Sequence, residues 1–169
     1  MTLVYPVQRI IWMSSLLTAE AKQYLKLHEG LNIIVTIGNS LRGDDGVGPY
    51  IASCLTHRDC LVVLDAGTTP ENFVDKIICL SPSNIVFIDA ADFGGFPGQA
   101  HTIKKDEISD FTLSTHMFPL RAIWEIIEQS IPAEIHLIGI QPLNCCFSEG
   151  LTNDVRQTAD EIVMALGSI

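Results

Sequence analysis

The sequence predicts an α/β fold, a three-layer α/β/α sandwich around a mostly parallel sheet of about five strands. Short apolar runs rich in β-branched residues alternate with helical patterns, and that alternation calls for right-handed crossovers between parallel strands. The runs are apolar without interruption, as expected of strands covered on both faces. The clearest strands are Asn32 to Gly38, Leu61 to Asp65 and Ile85 to Asp89, each ending in turn residues. A fourth, Ile135 to Ile140, stops at Gln141-Pro142, and a weaker run from Ala100 to Lys104 reads as a short edge strand. Helical patterns cover Leu17 to His28, Val47 to Leu55, Glu71 to Leu80, Pro119 to Gln129 and Leu151 to Leu166. In the last of these, Leu151, Val155, Ala159, Ile162, Val163 and Leu166 recur at spacings of three and four, while Asp154, Gln157, Asp160 and Glu161 fall on the other face.

With 169 residues, 47% of them hydrophobic, the chain can bury one sizeable core, so residues 1–169 are expected to form a single domain. Residues 1–30 read as a helical amino-terminal extension to it, and 31–169 as the domain proper. Acidic residues outnumber basic ones 20 to 10, for a net charge of -10, which excludes the basic footprint of a nucleic-acid binder. No apolar run approaches the roughly 18 to 20 residues that span a bilayer. The stretch from Leu3 to Leu17 is apolar but is split by Arg9, which argues against a secretory signal. Cys54, Cys60, Cys79, Cys145 and Cys146 form an odd set without C-x-x-C or zinc spacing, and free thiols in a reducing cytoplasm are the expectation.

In open parallel sheets, ligands bind beyond the carboxyl ends of the strands. The turn after the first strand reads Gly38-Asn39-Ser40-Leu41-Arg42-Gly43-Asp44-Asp45-Gly46-Val47-Gly48-Pro49. It is neither a Walker A loop nor a dinucleotide fingerprint. Adjacent carboxylates there repel phosphate and attract a cation. The plainer reading is that one of Asp44 and Asp45 caps the following helix, and capping needs only one. The second and third strands end in Asp65 and Asp89, which sets two more carboxylates at the loop edge. A single such aspartate is commonly a turn residue. Three acidic ends converging on one edge point instead to a cation.

His116 lies in the loop before the helix that precedes the Ile135 strand, so it is expected at the same edge. Alone it reads as a capping or packing histidine. With two carboxylates it makes a set suited to a first-row divalent ion, with coordination positions left open for catalysis. A nearby free carboxylate then takes the proton from water. His28, His57, His101 and His136 lack comparable partners in sequence. H-E-x-x-H and G-x-S-x-G are absent, and no cysteine has an evident base, so a covalent nucleophile is not expected. A nucleoside- or phosphate-using enzyme would need an anion site, for which only Arg42 is available.

At these residues the chain resembles the hydrogenase maturation endopeptidases, which clip the carboxy-terminal extension from the large subunit of nickel-iron hydrogenases. The matching stretches are Gly38-Asn39-x-Leu41-x-Gly43-Asp44-Asp45-Gly46-x-Gly48-Pro49, Asp65-x-Gly67-Thr68-x-Pro70-Glu71-Asn72, Ile88-Asp89-Ala90-x-Asp92, Ser114-Thr115-His116-x-x-Pro119 and Gly139-Ile140-Gln141-Pro142. They occur in family order. The Thr-His-x-x-Pro and Gly-Ile-Gln-Pro forms are most similar to the branch serving formate-hydrogenlyase-type hydrogenases. The resemblance implies a cytoplasmic aspartyl-type protease domain over residues 31–169. It further implies that Asp45, Asp89 and His116 bind nickel and that Asp65, Asp45 and Asp89 are the catalytic carboxylates. The nickel is expected to be substrate-borne, with other divalent transition metals able to substitute. The implied partner is the nickel-loaded large-subunit precursor, with hydrogenase accessory proteins as further candidates. A non-catalytic nickel-sensing checkpoint that docks the same precursor would use the same three ligands. The resemblance implies no role for residues 1–30 or for Cys145-Cys146.

Overall fold

The computed structural model describes residues 15–108 and 117–167, with side chains from residue 120 onward in the second stretch. Five strands form one sheet: β1 (Asn32–Ile37), β2 (Leu61–Gly67), β3 (Asn84–Ala90), β4 (Ala100–Thr102) and β5 (Glu134–Ile140). Their order is β2-β1-β3-β5-β4. The first four in that order run parallel, and β4 closes the edge antiparallel to β5. Every residue of β1 and β3 is buried, which accounts for their unbroken apolar character.

The helices are α1 (Ala19–Tyr24), α2 (Val47–Cys54), α3 (Val74–Leu80), α4 (Met117–Ser130) and α5 (Asn153–Gly167). Alternate strand residues point to opposite faces. Ile33, Val35, Phe87 and Leu137 pack with Ile77 of α3 and with Leu120 and Ile123 of α4. Ile34, Val63, Val86 and Ile138 pack on the other face with Ala21, Ile51 and Ile162 of α1, α2 and α5. Each fully buried isoleucine contributes about 1.5–3 kcal/mol relative to exposure. Among the described residues no helix is long and apolar enough to cross a membrane.

Several boundaries differ from expectation, three of them with consequences for the site or the amino-terminal segment. Strand β2 continues past Asp65 to Gly67, so that aspartate lies inside the strand rather than at its tip. The helix expected from Glu71 divides into a 3-10 turn at Pro70–Phe73 followed by α3. Helix α1 ends well short of His28, because Asn32 clamps that residue. Its Oδ1 accepts from the His28 N–H and its Nδ2 donates to the His28 carbonyl, both at 2.9 Å, and the intervening chain is drawn into a turn. The described part of the amino-terminal extension joins the fold: Leu17 bridges Ala100 of β4 and is buried.

This order fixes where the loops diverge. From β1 the chain runs through α2 to β2 on one side, and from β3 it runs through β4 and α4 to β5 on the other. The crevice beyond the carboxyl ends of β1 and β3 is therefore the topological switch point, the usual ligand position of such sheets.

Candidate functional site

The loop leaving β1 turns back on the strand it has just left. Gly38 has φ +141°, and a Cβ there would stand 1.9 Å from the Asp45 carbonyl oxygen. Close packing at Gly38 is matched by a hydrogen bond from Asn39 N–H to that same oxygen at 3.0 Å. At Gly48 a Cβ would lie 2.1 Å from the Ile37 carbonyl oxygen, so α2 starts directly against β1. The two glycines hold the acidic pair over the end of the central strand.

Asp44 and Asp45 then take different roles, and neither is the cap. Helix α2 has Gly46 at its amino-terminal cap, with no side-chain capping bond. Asp44 is fully buried. Its Oδ2 accepts from Leu143 N–H at 2.9 Å, Asn144 N–H at 3.1 Å and Thr152 Oγ1 at 2.9 Å, and its Oδ1 accepts from Thr152 N–H at 2.7 Å. Backbone bonds continue this seam: Asp44 N–H to Asn144 O, Gly43 N–H to Ser148 O, and Ser148 N–H to Leu41 O, at 2.8 to 3.0 Å. Asp44 thus anchors the loop that follows β5.

Asp45 is half-buried and faces an open cleft of about 420 Å³. Arg42, Ala90, Asp92, Pro142 and residues 143–146 complete its walls. Arg42 Nε donates to the Cys145 carbonyl at 3.2 Å. On the opposite wall, Asp92 Oδ1 accepts from Gly94 N–H at 3.0 Å and Gln141 Nε2 at 3.1 Å. Gln141 Oε1 accepts from Phe93 N–H and Gly95 N–H, each at 3.0 Å, so the glutamine of the Gly-Ile-Gln-Pro stretch ties the loop after β3 to the end of β5.

Asp89 sits near the end of β3, level with Gly139 of β5, and is fully buried. By alternation with Phe87 it points to the face covered by α3 and α4. Its neighbour Ala90 reaches the cleft wall. His116 lies outside the described residues; it immediately precedes Met117, the first residue of α4. The structure therefore brings Asp45 and Asp89 to the ends of two adjacent parallel strands. Among the described residues no three His, Cys, Asp or Glu side chains are grouped to hold a metal ion.

Asp65 is placed differently. It is exposed, level with Thr36 of β1, and alternates with Val63 toward the face opposite Asp89. Its Oδ1 accepts from Gly67 N–H at 3.1 Å and from Thr36 Oγ1 at 3.5 Å. It does not line the cleft that holds Asp45.

Two further cleft residues, Asp92 and Cys145, are not singled out by sequence alone. Asp92 lies three residues after Asp89 in the Ile88-Asp89-Ala90-x-Asp92 stretch, and that position is its signal. Cys145 has none, because it reaches Asp45 across a hundred residues of chain. Burial pushes the Cys145 thiol up from its ordinary value, and the negative charges of Asp45 and Asp44 push the same way. All five cysteines are free. Two of the remaining histidines serve the fold: His57 Nδ1 accepts from Val63 N–H at 3.1 Å, and His136 stacks on Tyr24 with ring centroids 3.8 Å apart.

Comparison with known proteins agrees with this architecture. A family profile described as HycI, hydrogenase maturation protease, matches residues 49–168. The chain is 34% identical over 144 residues to a putative hydrogenase maturation protease of Methanocaldococcus jannaschii, covering 79% of this chain and 85% of that one. It is 31% identical over 138 residues to the hydrogenase 3 maturation protease of Escherichia coli K12, covering 80% and 88%. The solution structure of the endopeptidase HycI from Escherichia coli superimposes with a TM-score of 0.73 at 30% identity, over 81% of this chain and 90% of that one. The crystal structure of a [NiFe] hydrogenase maturation protease HycI from Thermococcus kodakarensis gives a TM-score of 0.71 at 29% identity, over 88% and 99%.

Proposed function

Given that the chain belongs to the hydrogenase maturation protease family, in its HycI branch, and is a protease, we propose that it removes the carboxy-terminal extension from the nickel-loaded precursor of a nickel-iron hydrogenase large subunit. The single observation that carries this reading is that Asp45 lies in the turn after β1 and Asp89 near the end of β3, the two adjacent parallel strands that flank the switch point. Asp45, in the turn after β1, and Asp89, on β3, form part of a hard-to-borderline donor set, and His116 supplies the imidazole. The nickel is substrate: it arrives with the precursor, and other divalent transition metals can take its place. The cytoplasm is the compartment, in keeping with five free thiols.

Asp45, Asp89 and His116 hold the precursor by its ion and so fix the adjacent peptide bond in the cleft. When bound, the ion polarises a carbonyl or a coordinated water. A carboxylate accepts the proton of the attacking water, and the proton then passes to the departing amine. The base is either Asp65 or a ligand carboxylate, Asp45 or Asp89, once it leaves the ion. Cleavage is of the aspartyl type, without a covalent acyl intermediate. The raised Cys145 thiol supports this, since a thiol held protonated is a poor nucleophile.

The test is incubation of the purified chain with nickel-loaded precursor, read by mass spectrometry. Loss of the tail mass is the expected result; stable co-purification without that loss would make the protein a docking checkpoint for this substrate. Asp45→Asn, Asp89→Asn and His116→Ala should each stay folded and leave precursor uncut. Normal processing by the Asp89 variant removes that residue from the site. Asp65→Asn that binds but does not cut assigns the base to Asp65, and Asp65→Asn that still cuts assigns it to a ligand carboxylate, Asp45 or Asp89.

A further inference from the structure

The seam that anchors the loop after β5 has a consequence for the surface around the cleft. Leu41, Leu143 and Phe147 are 48%, 62% and 85% exposed. All three lie on the two segments joined by Asp44 and by the backbone bonds between Leu41, Gly43, Asn144 and Ser148. A further bond, Cys146 N–H to Asn144 Oδ1 at 2.9 Å, holds the tip between them. Large apolar side chains on a mobile loop can turn inward. On a backbone tied at so many points they stay in water, which is unfavourable unless a partner covers them.

Position and charge indicate the partner. Leu143 belongs to the cleft wall itself, so the apolar rim is continuous with the cavity that holds Asp45. Among the described residues the cleft lining carries the carboxylates of Asp45 and Asp92 against one cation, Arg42, so an acidic segment is repelled. We infer that Leu41, Leu143 and Phe147 form the docking rim for an apolar, non-acidic polypeptide segment of the precursor next to the bond that is cut. This rests on the protease reading above. A segment laid across the rim enters the cleft past Arg42, whose guanidinium is held on the Cys145 carbonyl, and so reaches Asp45 in a fixed direction. Recognition then has two parts, an ion gripped in the crevice and an apolar segment seated beside it.

The experiment measures both binding and cleavage of nickel-loaded precursor, by calorimetry and by mass spectrometry, for the wild type, Leu143→Ser, Phe147→Ser, the conservative Phe147→Leu, and Ile126→Ser on the exposed face of α4 as control. Leu143→Ser and Phe147→Ser should each raise Kd and KM by about 10-fold or more, the effect of one apolar side chain that no longer buries. The rate at saturation should stay near wild type, Phe147→Leu should recover most of the affinity, and Ile126→Ser should change nothing. Unchanged Kd and KM in both serine variants overturn the rim. Wild type that binds but does not cut overturns the protease reading alone, and the rim is then decided by Kd. Wild type that neither binds nor cuts overturns both.

Discussion

Replacing Asp44 by alanine removes a carboxylate that accepts four hydrogen bonds at 2.7 to 3.1 Å in a fully buried position. Hydrogen bonds to a charged group contribute about 1.5–3 kcal/mol each, so the gross loss is on the order of 6–12 kcal/mol. Much of it is recovered. Leu143 and Asn144 lie at the surface, and water can reach their N–H groups once the loop loosens, whereas both Thr152 donors are held deeper. The net destabilisation is therefore about 3–5 kcal/mol, the usual cost of stranding buried partners. Urea unfolding followed by the fluorescence of buried Trp124 measures it. Hydrogen exchange adds the local reading: the amides of Leu143, Asn144 and Thr152 should lose protection before those of β1 and β3. Asp44→Asn should fall between, since its oxygen still accepts while its NH2 group faces a donor. An alanine variant within about 1 kcal/mol of wild type, with those amides still protected, would refute the anchoring role.

Gly38→Ala forces a side chain into a left-handed position and onto a backbone oxygen 1.9 Å away, so a loss of about 3 kcal/mol or more is expected from the urea midpoint. Gly150 has φ +84° but no atom near a new Cβ, and Gly150→Ala should cost only about 1 kcal/mol. Burial holds His136 below its ordinary value of 6.5, against the opposing pull of Glu134, so the unfolded chain takes up that proton first. Stability should fall as pH drops below about 6.5 toward the folded value, and His136→Gln should remove that part of the slope in denaturation curves taken across the window. Iodoacetamide at pH 8 should label exposed Cys146 ahead of Cys145, and Asp45→Asn should speed labelling of Cys145 by removing one of the charges that raise it; peptide mapping reads both rates.

The strands that position the site were legible because β1 and β3 are buried along their whole length, and full burial writes itself as an unbroken apolar run. The same property hid the faces. A strand apolar on both sides gives no sign of which residues look toward α2 and which toward α4, so Asp65 and Asp89 read alike although they point to opposite sides of the sheet. The distinction between Asp44 and Asp45 was equally out of reach. The donors that claim Asp44 stand 99 to 108 residues further along the chain, and local spacing carries no trace of them. The helical pattern running to His28 overruns α1 because Asn32, which clamps His28 in a turn, acts from the following strand.

What the fold adds to the aspartates is rigidity on both sides of the crevice. One wall is fastened by Asp44 to the loop after β5, and the other by Gln141 to the loop after β3, so the two walls meet through the end of the same strand. Walls fastened this way are in place in advance, and little reorganisation stands between an arriving ligand and the binding geometry. The carboxylates of Asp45 and Asp92 line one cleft, where like charges repel, and a cation between them relieves that repulsion. On the reading proposed above, an acidic crevice formed in advance favours a precursor that already carries its metal over one that does not. If the precursor carries the ion as proposed, the same walls also fix the path of the adjacent chain, and Leu143, a wall residue and an exposed apolar one, is where the two parts of that recognition would meet.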